Sequence, residues 1–214
     1  MDYCEENRFH PKLLCNKGNM VLNEIKIPLT NNKAFNLQFE LHNLNTSKVN
    51  SDLLLTIQFY DLLEKVNGDL IEKIHILNVI NAQETDICII LKQIAKEVGV
   101  KQKYILFRST KYLNKLNNSI TYYNKDLIYE HKNLIDDYLS IIKLDNNNYE
   151  PLTFNFGKTV ISAYNNDKFF DVKFSIDFQI SIADDLPIYM SNLIGLMFKK
   201  MFYNVKIFID DLNS

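Results

Sequence analysis

Between Lys168 and Ile182 apolar and polar residues alternate without a break. Val172, Phe174, Ile176, Phe178, Ile180 and Ile182 interleave with Asp171, Lys173, Ser175, Asp177, Gln179 and Ser181. Six repeats at period two predict a strand with one apolar and one polar face. At ~3.3 Å per residue it spans on the order of 40 Å, long for a globular strand. Phe35, Leu37, Phe39 and Leu41 alternate in the same way with Asn36, Gln38, Glu40 and His42. The turn-forming Thr30-Asn31-Asn32-Lys33 separates this strand from an apolar stretch, Met20 to Leu29, and predicts an antiparallel pair.

The remaining pattern predicts further strands and three helices. Leu53, Leu55, Ile57 and Phe59 alternate ahead of Asn67-Gly68, a strong hairpin signal, with Ile74, Ile76 and Val79 beyond it. This reads as a long hairpin. Residues 84–98 place Ile87, Ile90, Leu91, Ile94 and Val98 on one helical face, with Thr85 as a cap and Gly99 past the end. Tyr104 to Phe107 and Ile120 to Tyr123 read as short strands, and residues 125–144 as a second helix carrying Leu127, Leu134, Ile135, Tyr138 and Ile142. Two strands around Leu152–Phe156 and Thr159–Tyr164 follow, with Gly157 permitting a turn between them. A third helix spans 186–203 from Pro187, and Val205, Ile207 and Ile209 read as a closing strand. The class is α+β, mainly antiparallel sheet with long hairpins. No regular βαβ alternation is present, so a doubly wound nucleotide fold is not expected. The organisation reads as an irregular arm (1–19), an α+β lobe (20–144) and a β-β-β-α-β lobe (149–214), with one continuous domain as the alternative.

Composition narrows the function classes. The chain has 214 residues, 47% hydrophobic and 23% charged, with a net charge of -2. No global charge drives it toward nucleic acid or an anionic membrane. Arginine occurs only as Arg8 and Arg108, so an arginine cluster for phosphate recognition is ruled out. Cys4, Cys15 and Cys88 are odd in number and scattered, which argues against a disulfide framework and for a reducing, cytoplasmic setting. The N-terminal residues lack the basic and apolar regions of a signal peptide, and no apolar run is long enough to span a bilayer. The bias toward Lys, Asn, Ile, Phe and Tyr follows AT-rich codons, as found in many phage and viral genomes.

Candidate chemistry is sparse. Cys4, His10 and Cys15 are potential soft metal ligands, but their spacing is wide and a fourth is missing, so no metal is assigned. Tyr122, Lys125 and His131 are the residues from which an acid–base group could be built. Asp184-Asp185 and Asp210-Asp211 could hold a cation, but helix capping and a solvated C-terminus account for them better. Gly157-Lys158-Thr159 resembles the end of a phosphate loop without its upstream glycine. No catalytic residue or cofactor is assigned. The broadly apolar third helix points instead to a protein partner. The leading expectation is a non-catalytic structural or adaptor subunit of a homo- or hetero-oligomeric assembly, of the virion connector or phage tail type. A nucleic-acid-associated regulatory protein and a small enzyme with an unrecognised site are the alternatives.

Overall fold

The computed structural model describes residues 11–26, 33–93, 101–128, 132–145, 147–166, 168–180 and 188–214. Its organising unit is one ten-stranded sheet. In chain order the strands are β1 (Lys12–Lys17), β2 (Met20–Lys26), β3 (Lys33–Asn45), β4 (Ile71–Val79), β5 (Glu84–Leu91), β6 (Gln102–Asn114), β7 (Ser119–Asp126), β8 (Tyr149–Pro151), β9 (Phe154–Asn166) and β10 (Phe169–Ile180). In space they run β1-β2-β3-β10-β9-β7-β6-β5-β4, and β8 pairs with β6 off this path. Every pairing is antiparallel except the short parallel contact of β8 with β6. Among the described residues there are four helices: α1 (Asp52–Leu55), α2 (Gln58–Val66), α3 (Lys132–Ile141) and α4 (Ile188–Asn213). The α+β class with a dominant antiparallel sheet is the arrangement the sequence pattern predicts.

The long alternating stretch is β10, and it lies at the centre of the sheet between β3 and β9. Register explains its Phe-rich face. Phe174 sits opposite Phe39, Ile176 opposite Leu37 and Phe178 opposite Phe35. The Phe39 and Phe174 rings stack at 4.5 Å and the Phe35 and Phe178 rings at 5.2 Å, cross-strand pairs that stabilise a sheet beyond simple burial. The register slips once, between Phe170 and Val172. There Asn43 takes φ 54° and its N–H donates to Asp171 Oδ1 at 2.7 Å, a bulge that increases the local twist.

The two faces of the sheet carry separate cores. α2 and α4 pack on one face over Phe35, Phe39, Phe174, Phe178, Ile105 and Phe107. α3 packs on the other face, where Cys88, Ile90, Tyr104 and Leu106 meet Ile135, Tyr138 and Leu139. That double coverage overturns the helix predicted over 84–98. Residues Glu84–Leu91 are strand β5, whose Ile87, Ile89 and Leu91 face one core while Cys88 and Ile90 face the other. A strand buried on both sides reads as a continuous apolar run and mimics one face of a buried helix. Residues 94–98 lie outside the described residues.

Three further elements differ from the sequence pattern. The predicted hairpin around Asn67-Gly68 is α2 followed by β4; Asn67 ends the helix, its N–H bonded to Glu64 O. Asn67 is fully buried because its amide ties the two helices together. Nδ2 donates to Leu63 O and Met201 O, and Oδ1 accepts from Asn204 Nδ2. The predicted closing strand is the continuation of α4. Met201, Val205 and Ile209 are buried at helical spacing, whereas Ile207 is exposed. The 125–144 helix is shorter than predicted: Asp126 ends β7, and α3 begins at Lys132.

Candidate functional site

α4 does not close tightly on the sheet. Beneath it, walled by α1 and α2, lies a cavity of about 120 Å³. The helices contribute Leu54, Phe59, Leu63, Phe198, Met201 and Phe202; the sheet contributes Ile89, Ile105, Phe107, Ile161, Ile176 and Phe178. The rings are mutually braced, Phe178 against Phe198 at 4.7 Å and Phe59 against Phe202 at 6.0 Å. A dry apolar cavity of on the order of 150 Å³ holds a benzene-sized molecule, so this chamber is of ligand scale.

Gly157 helps to keep it open. It lies within β9, between Asn124 of β7 and Phe178 of β10, on the inward-facing register. A glycine in a strand leaves that patch of wall bare, which is where a ligand can approach closely. Gly157-Lys158-Thr159 therefore forms part of a strand and has no phosphate-loop geometry. Lys158 alternates to the outer face, its Nζ 5.7 Å from the centre of the Tyr123 ring. Asp177 likewise turns outward, accepting a 2.6 Å hydrogen bond from Asn36 Nδ2.

A second cavity of about 250 Å³ opens beside the first, between the α1–α2 junction, the β4–β5 turn and β6. Thr56, Tyr60 and Tyr122 border both. The Tyr122 hydroxyl donates to Leu55 O at 2.8 Å, and burial pushes its pKa up to about 12. Burial raises Tyr60 as well, with Ser109 acting the other way. Both phenols are neutral at physiological pH, and they work as polar posts within an apolar wall. Among the described residues, two buried side-chain atoms have no hydrogen-bond partner, Ser109 Oγ and Asn124 Oδ1. Ser109 borders the second cavity and Asn124 the first. Orphaned buried atoms of this kind are rare in folded proteins, and a ligand or water is the usual explanation.

The candidate residues from the sequence do not assemble here. Tyr122 faces the chamber, whereas Lys125, three residues along the same strand, sits opposite Arg108 on β6 and faces the other way. His131 lies outside the described residues, as do Cys4 and His10. Cys15, the third candidate metal ligand, is half-buried on β1 with its Sγ 3.2 Å from Lys199 Nζ, a cation where a co-ligand would be needed. Asp210 pairs with Lys206 on α4 at 2.5 Å; Asp184 and Asp185 are outside the described residues. Among the described residues no helix is long and apolar enough to cross a membrane.

One polar cluster escaped the sequence pattern altogether. Asp86, fully buried on β5, accepts both prongs of the Arg108 guanidinium, at 2.7 and 3.0 Å, and the Tyr138 hydroxyl at 2.7 Å. It fastens α3 to the sheet, so Arg108 has a structural role.

No protein-family profile matches the chain, and no curated protein matches it. Its likeness is to solved structures. The lipid transfer and protein localization domain of human StarD13 (DLC2) aligns over 96% of this chain and 90% of its own, with TM-score 0.63 and 9% identity. Human StAR-related lipid transfer protein 5 covers 95% and 88%, with TM-score 0.66 and 5% identity. A STAR-related lipid transfer protein from Xanthomonas axonopodis covers 94% and 98%, with TM-score 0.62 and 9% identity. At such identities the likeness is one of fold. It overturns the expectation of a virion connector or tail-type structural subunit, because the architecture is that of single domains named for lipid transfer. The physical basis of that expectation also dissolves: the apolar breadth of α4 is largely spent on the sheet, where Phe198, Met201, Phe202, Val205 and Ile209 are packed. The chain has the fold of the StAR-related lipid transfer domains.

Proposed function

We propose that this protein binds an apolar small molecule of lipid character in the chamber between α4 and the sheet. The carrying observation is the chamber itself, an unfilled space walled by aromatic and aliphatic side chains between α4 and the sheet. Natural interiors fill space at crystal-like density, so a persistent void of ligand size is costly unless something occupies it. Sites for apolar ligands have this composition, mostly hydrophobic with a few convergent polar groups. The names of the structural neighbours support the same reading. A whole lipid exceeds the present volume, so full occupancy requires the Phe198 and Phe202 rings on α4 to yield.

A neutral fluorophore such as N-phenyl-1-naphthylamine tests the proposal. Its emission is expected to rise and shift to the blue on saturable 1:1 binding. Thr159→Trp, which projects a large ring from β9 into the chamber, is expected to suppress that rise at least tenfold. Unsaturable binding, or binding indifferent to Thr159→Trp in a folded variant, would overturn the proposal.

A further inference from the structure

Resting on that ligand-binding reading, we infer that Asn124 selects the ligand: the chamber takes an uncharged molecule bearing a hydroxyl group and discriminates against carboxylates and phosphates. Asn124 Oδ1 is buried in the chamber wall with no partner. Phe178 lies across β9 and Gly157 beside it in register; on β6 the residue opposite is Ser109, whose Oγ is itself without a partner and so does not satisfy the amide.

An orphaned acceptor in such surroundings asks for a donor. A hydroxyl supplies one, and because it also accepts, it can pair with either end of an amide. An ionised carboxylate or phosphate only accepts, and so leaves Oδ1 unsatisfied. Charge points the same way. The charged residues bordering the chamber, Lys158 and Asp177, turn their charges to the outer face, toward Tyr123 and Asn36. The two phenols that do reach the cavities, Tyr60 and Tyr122, are neutral. Lys111 lines only the second cavity, its Nζ donating to Leu55 O at 3.4 Å, so an anionic group beside Asn124 would be buried without a counter-charge, which is strongly disfavoured. The bare wall at Gly157 lets the hydroxyl-bearing end approach Asn124 without a side chain in the way.

Two isomers isolate the hydrogen bond from size and hydrophobicity: 1-decanol and 1-methoxynonane share the same formula, but only the alcohol donates. Their displacement of N-phenyl-1-naphthylamine is measured on the full chain at pH 7.5, with decanoate as the anionic comparison. 1-Decanol is expected to compete on the order of tenfold better than the ether, the scale of satisfying one buried polar group, and decanoate worst of the three. In Asn124→Leu, with the fluorophore's own affinity measured afresh in that variant, the alcohol-to-ether ratio is expected to fall to about one, since the substitution replaces the amide with an apolar group of similar size. Equal competition by the two isomers in the unaltered protein, preferential binding of decanoate, or an unchanged ratio in Asn124→Leu would overturn the inference and leave the ligand-binding reading standing. Failure of the fluorophore and of all three competitors to bind would overturn both.

Discussion

Gly195 offers a sharp test of how α4 seats on the sheet. A Cβ built there meets the Phe35 ring at 2.8 Å (Cε1), 3.0 Å (Cδ1) and 3.2 Å (Cζ), against ordinary carbon contacts of about 3.5–4.0 Å. Phe35 is fully buried and stacks on Phe178, which stacks on Phe198, so its ring can retreat only along this stack. In Gly195→Ala the helix must lift or the ring must push along this stack into the chamber. Overpacking of this kind costs ~1–3 kcal/mol. Alanine returns about 1 kcal/mol of helix propensity over glycine. The clash is expected to win, for a net loss of about 1 kcal/mol. At a urea m-value of roughly 2 kcal/mol/M this lowers the unfolding midpoint by about 0.5 M with m unchanged. Phe35→Leu should remove most of the added cost, giving a measurable coupling in a double-mutant cycle. A midpoint raised by Gly195→Ala would refute the reasoning, because it would mean that α4 does not touch Phe35 so closely.

Three other outcomes follow from the geometry. Arg108→Leu strands the buried Asp86 carboxylate and is expected to cost about 3–5 kcal/mol in denaturant unfolding, whereas Asp86→Leu combined with Arg108→Leu should recover much of it. Acid should destabilise the fold in two steps. His75 is held below its ordinary value of 6.5, chiefly by burial, with Lys73 adding to the effect. Its contribution is therefore full above pH 6.5 and lost as pH falls through the lower folded value. Burial pushes the Glu64 carboxyl up, but hydrogen bonds from Lys73 Nζ and the Ile74 N–H together outweigh it and hold it below 4.5. That contribution is present above pH 4.5 and lost below it, so thermal midpoints followed from pH 8 to pH 3.5 should fall first in the His75 window, and His75→Asn should flatten it. Burial pushes the Cys88 thiol up to about 12, so iodoacetamide at pH 8 should label it only on unfolding, as mass spectrometry of intact and denatured protein can show.

Much of the sheet was legible because its strands are half-buried. β3 and β10 each present one face to the aromatic core and one to solvent, and period two survives in their sequences. β5 was illegible for the converse reason. With both faces covered, Ile87, Cys88, Ile89, Ile90 and Leu91 carry no alternation to read. α4 was half legible: Pro187 and the following apolar run mark a helix, but the chance alternation of Val205, Ile207 and Ile209 hides its last turns. Asn67-Gly68 misled because a buried side chain, bonded across to Met201 and Asn204, overrides the turn preference of the dipeptide. The chamber could not be read at all. Its lining comes from three helices and five strands, and most of its wall residues look like ordinary core in sequence. Asn124 and Gly157 become conspicuous only when register places them side by side on the inner face.

The most direct test of ligand binding in the chamber is native mass spectrometry of the protein after incubation with mixed-lipid vesicles and re-isolation. A lipid adduct at 1:1 stoichiometry, absent from folded Thr159→Trp, is the expected result. Protein recovered without adduct, or an adduct of equal abundance in both forms, would contradict it.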